Sequence, residues 1–422
     1  MKRRTIAGLS LATALLLCGC ASTPQEDTSS APLSTTENTE TQADSGDVSL
    51  TLWTAEEDQE LIQVICDNFI KEHAGEANIT IEWASMPESE CRTNLLSDVL
   101  NGPDVYATTD GEIRLLAAGG AASPVVNAAE ISAANLPASV EALTYNGTLY
   151  GYPLTADNGY FLYYNKAYLS EEDVKSLDSI LAVAEANGKK FAMDWTSGWY
   201  LNSFFGQTGL KVGLNNDGVT NFCDWNSTTN SIKGVDVAEA LLAISSHPGF
   251  ESIPSWIPGI VSGEIIACVS GVWDEATIKA AWGDDLGATI LPSYTCAGQQ
   301  VQMSSYFGYK MIGVNPYSEH LERAHKLAEY ISKQENQELR FQMRGQGPSN
   351  LKAAESPEIQ SATAIQAVIA QSEYSELQRL GTNYWGASTE FGNTLAAGNP
   401  EGIDLQELMD SVVSKITSST VQ

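Results

Sequence analysis

Residues 193–200 read MDWTSGWY and place Trp195, Trp199 and Tyr200 within six residues, directly after the strand-like Lys190-Phe191-Ala192. The segment 195–198 has the composition of a turn, and Gly198 is expected to supply a backbone conformation that other residues avoid. Large rings on a turn that follows a strand have two uses. They close over an apolar core, or they offer a flat face to a ligand. Metal or nucleophile chemistry has far less behind it. The cysteines beyond residue 20 (Cys66, Cys91, Cys223, Cys268 and Cys296) are odd in number and lack CxxC spacing. They specify neither a metal cage nor a fully paired disulfide framework, and they leave room for one bridge whose partners stay open. His73, His247, His320 and His325 are scattered, and the last two lie five apart, off a common helical face. No metal, cofactor or catalytic residue is expected.

The start of the chain bounds its destination. Lys2, Arg3 and Arg4 form a charged n-region, Ile6 to Leu17 is apolar, and Cys18-Gly19-Cys20 follows. This is the layout of a secretory signal, too short to span a membrane. Its ending resembles the bacterial lipobox, which makes Cys20 the lipidated new N-terminus and residues 1–19 a removed leader. Residues 20–47 are rich in Ser, Thr, Glu, Gln and Asp and read as a disordered tether. The expected location is the outer face of a cell membrane, of Gram-positive type. About 375 residues remain, more than one core usually supports, so two lobes are expected. The net charge of −31 becomes −34 once Lys2, Arg3 and Arg4 leave with no acid. A body this acidic argues against nucleic acid, whose partners need a basic face, and against anionic ligands.

Elements that could position a site follow from periodicity. Val48 to Trp53 alternates as a strand, and Leu61, Ile65, Phe69 with Ile62, Cys66, Ile70 mark a helix over 58–73. Strand 79–83, helix 88–100 and strand 104–107 continue the alternation, the signature of a parallel sheet with right-handed crossovers. Ligands of such sheets sit beyond the carboxyl ends of the strands, where residues 53–57 and 106–110 fall. Residues 149–155 and 159–166 read as two β segments across a short bend. A second α/β region follows, with helices near 170–187 and 235–246 and strands at 190–192, 264–269 and 287–291. A strand at 309–315, helices at 321–333 and 336–344, and C-terminal helices close the chain.

Several landmarks in this order resemble the extracellular solute-binding proteins of sugar ABC importers, of the maltose-binding type. They are Leu52-Trp53 with its following acids, Gly102-Pro103-Asp104-Val105-Tyr106-Ala107 with Asp110 after it, and the 146–153 string NGTLYGYP. Tyr164-Asn165-Lys166, the 263–273 string GEIIACVSGVW, and Tyr384-Trp385 complete the set. The resemblance runs from about residue 48 to the end. It implies an α/β fold of two periplasmic-binding-protein-like lobes, each a mostly parallel sheet flanked by helices, joined by a multi-strand hinge. Lobe 1 would comprise 48–155 plus 306–358, and lobe 2 156–305 plus 359–422. The sequence departs from the archetype where basic residues would flank the first-lobe acids: Gly111 follows Asp110 and Asp58 follows Glu57.

A pyranose has an apolar C–H face and a hydroxyl rim, so its receptor stacks rings on the face and aims carboxylates at the rim. On the matched loops, the resemblance implies Trp199, Trp273 and Trp385 as stacking platforms, and Glu57, Asp110 and Asp157 as polar clamps. Trp53, Tyr200 and Tyr384 are further ligand candidates, while Trp195 is expected to pack. The function implied is a monomeric, non-catalytic, lipid-anchored receptor. It would close its lobes on an oligosaccharide, of malto-oligosaccharide or other α-glucan type, and hand it to a membrane permease. Xylo- or fructo-oligosaccharides and polyamines are alternative ligands. A glycoside hydrolase is a further alternative, since paired carboxylates beside an aromatic cleft are what that reaction needs.

Overall fold

A computed structural model describes residues 46–419. The leader, Cys20 and nearly all of the tether expected from the sequence lie outside the described residues.

The first sheet is ordered Asn78–Ser85, Asp47–Thr54, Val105–Thr109, Lys310–Val314, Tyr152–Thr155. Its first three strands are parallel, and Lys310–Val314 runs against both of its neighbours. The alternation read from Val48 to Trp53 holds: Val48, Leu50 and Leu52 are buried, while Asp47 and Ser49 face solvent. Helix Gln59–His73 covers this sheet with Leu61, Ile62, Ile65, Cys66 and Phe69, the 3.6-residue stripe legible in the sequence. Helix Glu88–Ser97 buries only Cys91 and Leu95, leaving most of its circumference for other purposes.

The second sheet is ordered Phe250–Glu251, Lys190–Ala192, Ile265–Ser270, Phe161–Asn165, Leu286–Thr289. Here Phe161–Asn165 is the opposed strand. Every residue of Ile265–Ser270 is buried, as expected of a central strand covered on both faces. Helices Leu177–Ala186, Gly234–Ser245, Asn383–Ala396 and Leu405–Ile416 pack around it, the last held at its start by Asp404, whose side chain accepts from the amides of Gln406 and Glu407.

Two separate apolar cores result. One draws on residues 48–154 and 311–331, the other on 160–306 and 359–416. In each sheet the reversed strand is the one the chain enters after passing between cores. It passes at 156–160 and 307–309, and again through the segment that follows helix Gln334–Arg344. That segment starts at Gly345, whose φ of +70° ends the helix in the left-handed region. The first and third passages are bonded together: Ala156 N donates to the Gly347 carbonyl at 3.0 Å, and Gly347 N donates to Asp157. The five described cysteines are all free thiols, so the single bridge allowed by the sequence is not formed among them. Cys66, Cys91, Cys268 and Cys296 are core residues, and burial pushes the Cys66 and Cys91 thiols up to about 12.

Candidate functional site

A cavity of about 1030 Å³ lies between the two cores, at the upper end of the range for small-ligand sites. One wall comes from the second core and is built on tryptophan.

The MDWTSGWY segment supplies the first ring. Asp194 Oδ1 accepts from the Thr196 amide at 3.0 Å and from the Thr196 hydroxyl at 2.5 Å, fixing the turn after strand Lys190–Ala192. Trp195 turns into the core against Phe250, with ring centroids 4.4 Å apart. Gly198 starts a short helix, Gly198–Leu201, and is not among the residues with positive φ. The sequence expectation of an unusual backbone conformation is therefore corrected. Glycine is needed here because a Cβ would lie 2.2 Å from Ser388 Oγ and 2.9 Å from a Tyr384 ring carbon. That close approach sets the following residue, Trp199, on the cavity wall. Its ring is backed by Tyr306 and Tyr160, each centroid 5.5 Å away, and its carbonyl accepts from the Tyr160 hydroxyl at 2.7 Å.

Trp273 sits in the turn Val272–Asp274 that ends strand Ile265–Ser270. Asp274 Oδ2 pins this turn by accepting from Ser270 Oγ at 2.6 Å and Trp256 Nε1 at 3.1 Å. Trp385 stands in the first turn of helix Asn383–Ala396, edge-on to Tyr384 at 5.1 Å. The three tryptophans expected as stacking platforms all border the cavity, as does the exposed carboxylate of Glu57 from the first core.

The other named residues stand elsewhere. Asp110 is buried, paired with Arg379 at 2.7 Å and accepting from the Tyr309 amide at 2.8 Å. It borders a separate crevice of about 400 Å³. Burial raises its carboxyl above the usual range against the pull of Arg379. Asp157 is buried at the first passage, where burial pushes its carboxyl up to about 6 despite the Gly347 amide it accepts from. Trp53 packs on the first core, and Tyr200 and Tyr384 lie inside the second, the Tyr384 hydroxyl donating to the Gly198 carbonyl at 2.7 Å. None of these five side chains lines the cavity. Packing and ion pairing claim them first.

The polar wall opposite the tryptophans was missed by sequence reading. Helix Glu88–Ser97 turns Glu88, Ser89, Arg92 and Thr93 to the cavity, with Glu112 and Lys310 beside them. Lys310 Nζ lies 2.8 Å from Glu88 Oε1, and Arg92 Nε donates to Glu112 Oε2. A register shift between Lys310 and Met311 marks a bulge at the head of that strand, a device that re-aims a side chain. Burial alone would lower the Lys310 ammonium, and the carboxylates of Glu88, Asp58 and Asp157 outweigh it and raise it. The available signals were a lysine heading an otherwise apolar strand and a helix with only two core positions.

A second set of charges stands beside Glu57, outside the cavity lining. Asp58, buried next to Glu57, is gripped by Arg340 and by Arg344 Nε at 3.1 Å. Burial would raise its carboxyl, but Arg340, Lys310 and Arg344 overcome this and hold it down at about 2.

A family model described as bacterial extracellular solute-binding protein matches residues 65–367. A galactooligosaccharide-binding protein of Bacillus subtilis (strain 168) is 24% identical over 340 residues, covering 78% of this chain and 79% of the relative. A solved structure with acarbose is 25% identical with a TM-score of 0.78, covering 87% of this chain and 98% of its own. The maltodextrin binding protein MalE1 from L. casei BL23, without ligand, gives a TM-score of 0.72 at 21% identity over 88% of this chain and 99% of its own.

Proposed function

Because this chain belongs to the bacterial extracellular solute-binding proteins, we propose that it captures an oligosaccharide and delivers it to an ABC importer. The observation that carries this reading is the cavity itself, with three tryptophans on one wall and hydrogen-bonding side chains on the other. Flat apolar rings facing charged and amide groups suit a ligand with an apolar face and a hydroxyl rim. The relative named for galacto-oligosaccharides and the neighbours named for maltodextrin and acarbose support a saccharide ligand. The family is one of binding proteins, so the role proposed is capture rather than catalysis.

Within that class we favour malto-oligosaccharides, on the landmark residues of the sequence and the maltodextrin-binding neighbour. Galacto-oligosaccharides are the second reading, on the named relative. Under this proposal the lobes span 48–155 plus 306–358 and 156–305 plus 359–422, and the protein acts as a monomer held outside the cell by a lipid on Cys20. Calorimetric titration with the malto-, galacto-, xylo- and fructo-oligosaccharide series tests the assignment. Micromolar or tighter binding confined to the malto series is expected. Binding confined to the galacto series would replace the favoured ligand with the second.

A further inference from the structure

The crevice of about 400 Å³ beside the cavity is walled by both cores, and two contacts cross it. On the first core one turn of chain serves both spaces: Glu112 lines the cavity, while Asp110 and Arg114 on either side of it line the crevice. The second core contributes the hairpin of strands Val212–Leu214 and Asn221–Cys223, and the segment 377–382. These two pieces are fixed to each other. Gly381 N donates to Asn221 Oδ1 at 2.6 Å, and the buried Asn221 donates back to the Gly381 carbonyl at 3.3 Å. The segment then enters helix Asn383–Ala396, which carries Trp385.

The two contacts differ in place. Asp110 accepts from Arg379 at 2.7 Å and from the Tyr309 amide, so this ion pair sits at the second passage between the cores. A hinge motion moves such a position least. Arg114 stands about one helical turn beyond it. Its Nη2 donates to the Asp217 carbonyl at the hairpin tip, 3.1 Å away, and its guanidinium lies 5.9 Å over the Tyr145 ring. The tip is shaped to receive it. Gly218 has a φ of +67°, and a Cβ there would fall 1.3 Å from Arg114 Nη2. None of Asp110, Arg114, Asp217 or Arg379 lines the ligand cavity.

We propose that Arg114 and the hairpin tip at Asp217–Gly218 form a clasp between the lobes, with Asp110–Arg379 as its pivot, and that Arg114 is a positioning residue for ligand capture. The clasp joins the two cores outside the cavity, so it raises the population of the closed form without touching what is bound. Observed affinity scales with the fraction of protein in the binding-competent state, so the clasp multiplies the affinity of every ligand by one common factor. This rests on the binding-protein reading above and concerns how tightly the site holds, not which sugar it selects.

The test is calorimetry on the wild type, Arg114→Met, Gly218→Ala and the double variant, with maltotriose, maltotetraose, galactotriose and galactotetraose as probes. Each single variant should lose roughly two- to tenfold in affinity, the worth of one net hydrogen bond, by the same factor for every probe the wild type binds. The two substitutions break one contact from opposite sides, so the double variant should lose no more than the weaker-binding single variant. Thermal melts check folding, and Arg114→Met decides the matter if Gly218→Ala does not fold. Wild-type affinity in the folded variants, a loss that differs between probes, or losses that add in the double variant would overturn the proposal. A wild type that binds none of the probes overturns the saccharide reading instead. Small-angle X-ray scattering of the unliganded proteins then decides the clasp: a larger radius of gyration in Arg114→Met upholds it, and an unchanged one overturns it.

Discussion

Arg344 Nη2 lies 3.3 Å from the carbonyl oxygen of Trp273, while its Nε is held at 3.1 Å by Asp58. The contact joins the helix Gln334–Arg344 on the first core to the turn that carries a cavity tryptophan on the second. It links the placement of a cavity ring to the approach of the two cores. Arg344→Ala should therefore weaken maltotetraose binding by roughly two- to tenfold, the worth of a single net hydrogen bond. Asp58 keeps Arg340, so the thermal midpoint should move little. Unchanged affinity on calorimetry would show that the contact plays no part in holding the ring.

Gly198 offers a test of packing against backbone strain. Gly198→Ala should cost about 1–3 kcal/mol, the usual penalty for overfilling a packed site. Adding Ser388→Ala removes the oxygen that the new Cβ would meet and leaves the Tyr384 ring carbon at 2.9 Å, so the double variant should regain part of the loss. No recovery at all in the double variant, read by denaturant unfolding, would show that the Ser388 oxygen is not the obstacle.

The sequence made the sheets legible because their strands are buried in simple patterns: the period-two alternation of Val48, Leu50 and Leu52 and the unbroken apolar run of Ile265–Ser270. The three cavity tryptophans could be found because their loops matched landmarks. Asp110 and Asp157 show why two of the three acids could not. A carboxylate on a loop looks the same in sequence whether it faces a ligand or an arginine, and Arg379 is 269 residues from Asp110. Lys310 was hidden for the converse reason, since its partner Glu88 lies 222 residues away. Gly198 was identified as necessary, but the cause lies in Ser388 and Tyr384, on a helix nearly two hundred residues on.

Asp157 predicts a pH dependence. Its folded carboxyl is raised to about 6 from a reference of 3.8, so the unfolded chain ionises first as pH rises. Ionisation then favours unfolding progressively between about pH 4 and 6, and the penalty is complete above that range. Asp157 Oδ1 is also buried without a hydrogen-bond partner, consistent with a carboxyl that prefers its proton. Asp157→Asn carries no such penalty. It should gain about 2–3 kcal/mol on the wild type between pH 4 and pH 7.5. A difference in stability that stays flat across that range would contradict the assignment. Asp58 acts in the opposite sense: its carboxyl is held at about 2, so its contribution is present above pH 4 and is lost as pH falls through 2.

If tryptophan faces receive a neutral oligosaccharide, the most direct measurement is calorimetric titration of maltotetraose or galactotetraose, whichever the wild type binds better, into the wild type, Trp199→Ala and Trp385→Ala. Trp199 is backed by Tyr160 and Tyr306, so its removal leaves the surrounding core in place while erasing the platform. An affinity loss of about tenfold or more is expected in each variant, as for truncation of a buried aromatic at a binding hot spot. Wild-type affinity in both variants, or a wild type that ignores neutral sugars and binds spermidine with strong salt dependence, would contradict it.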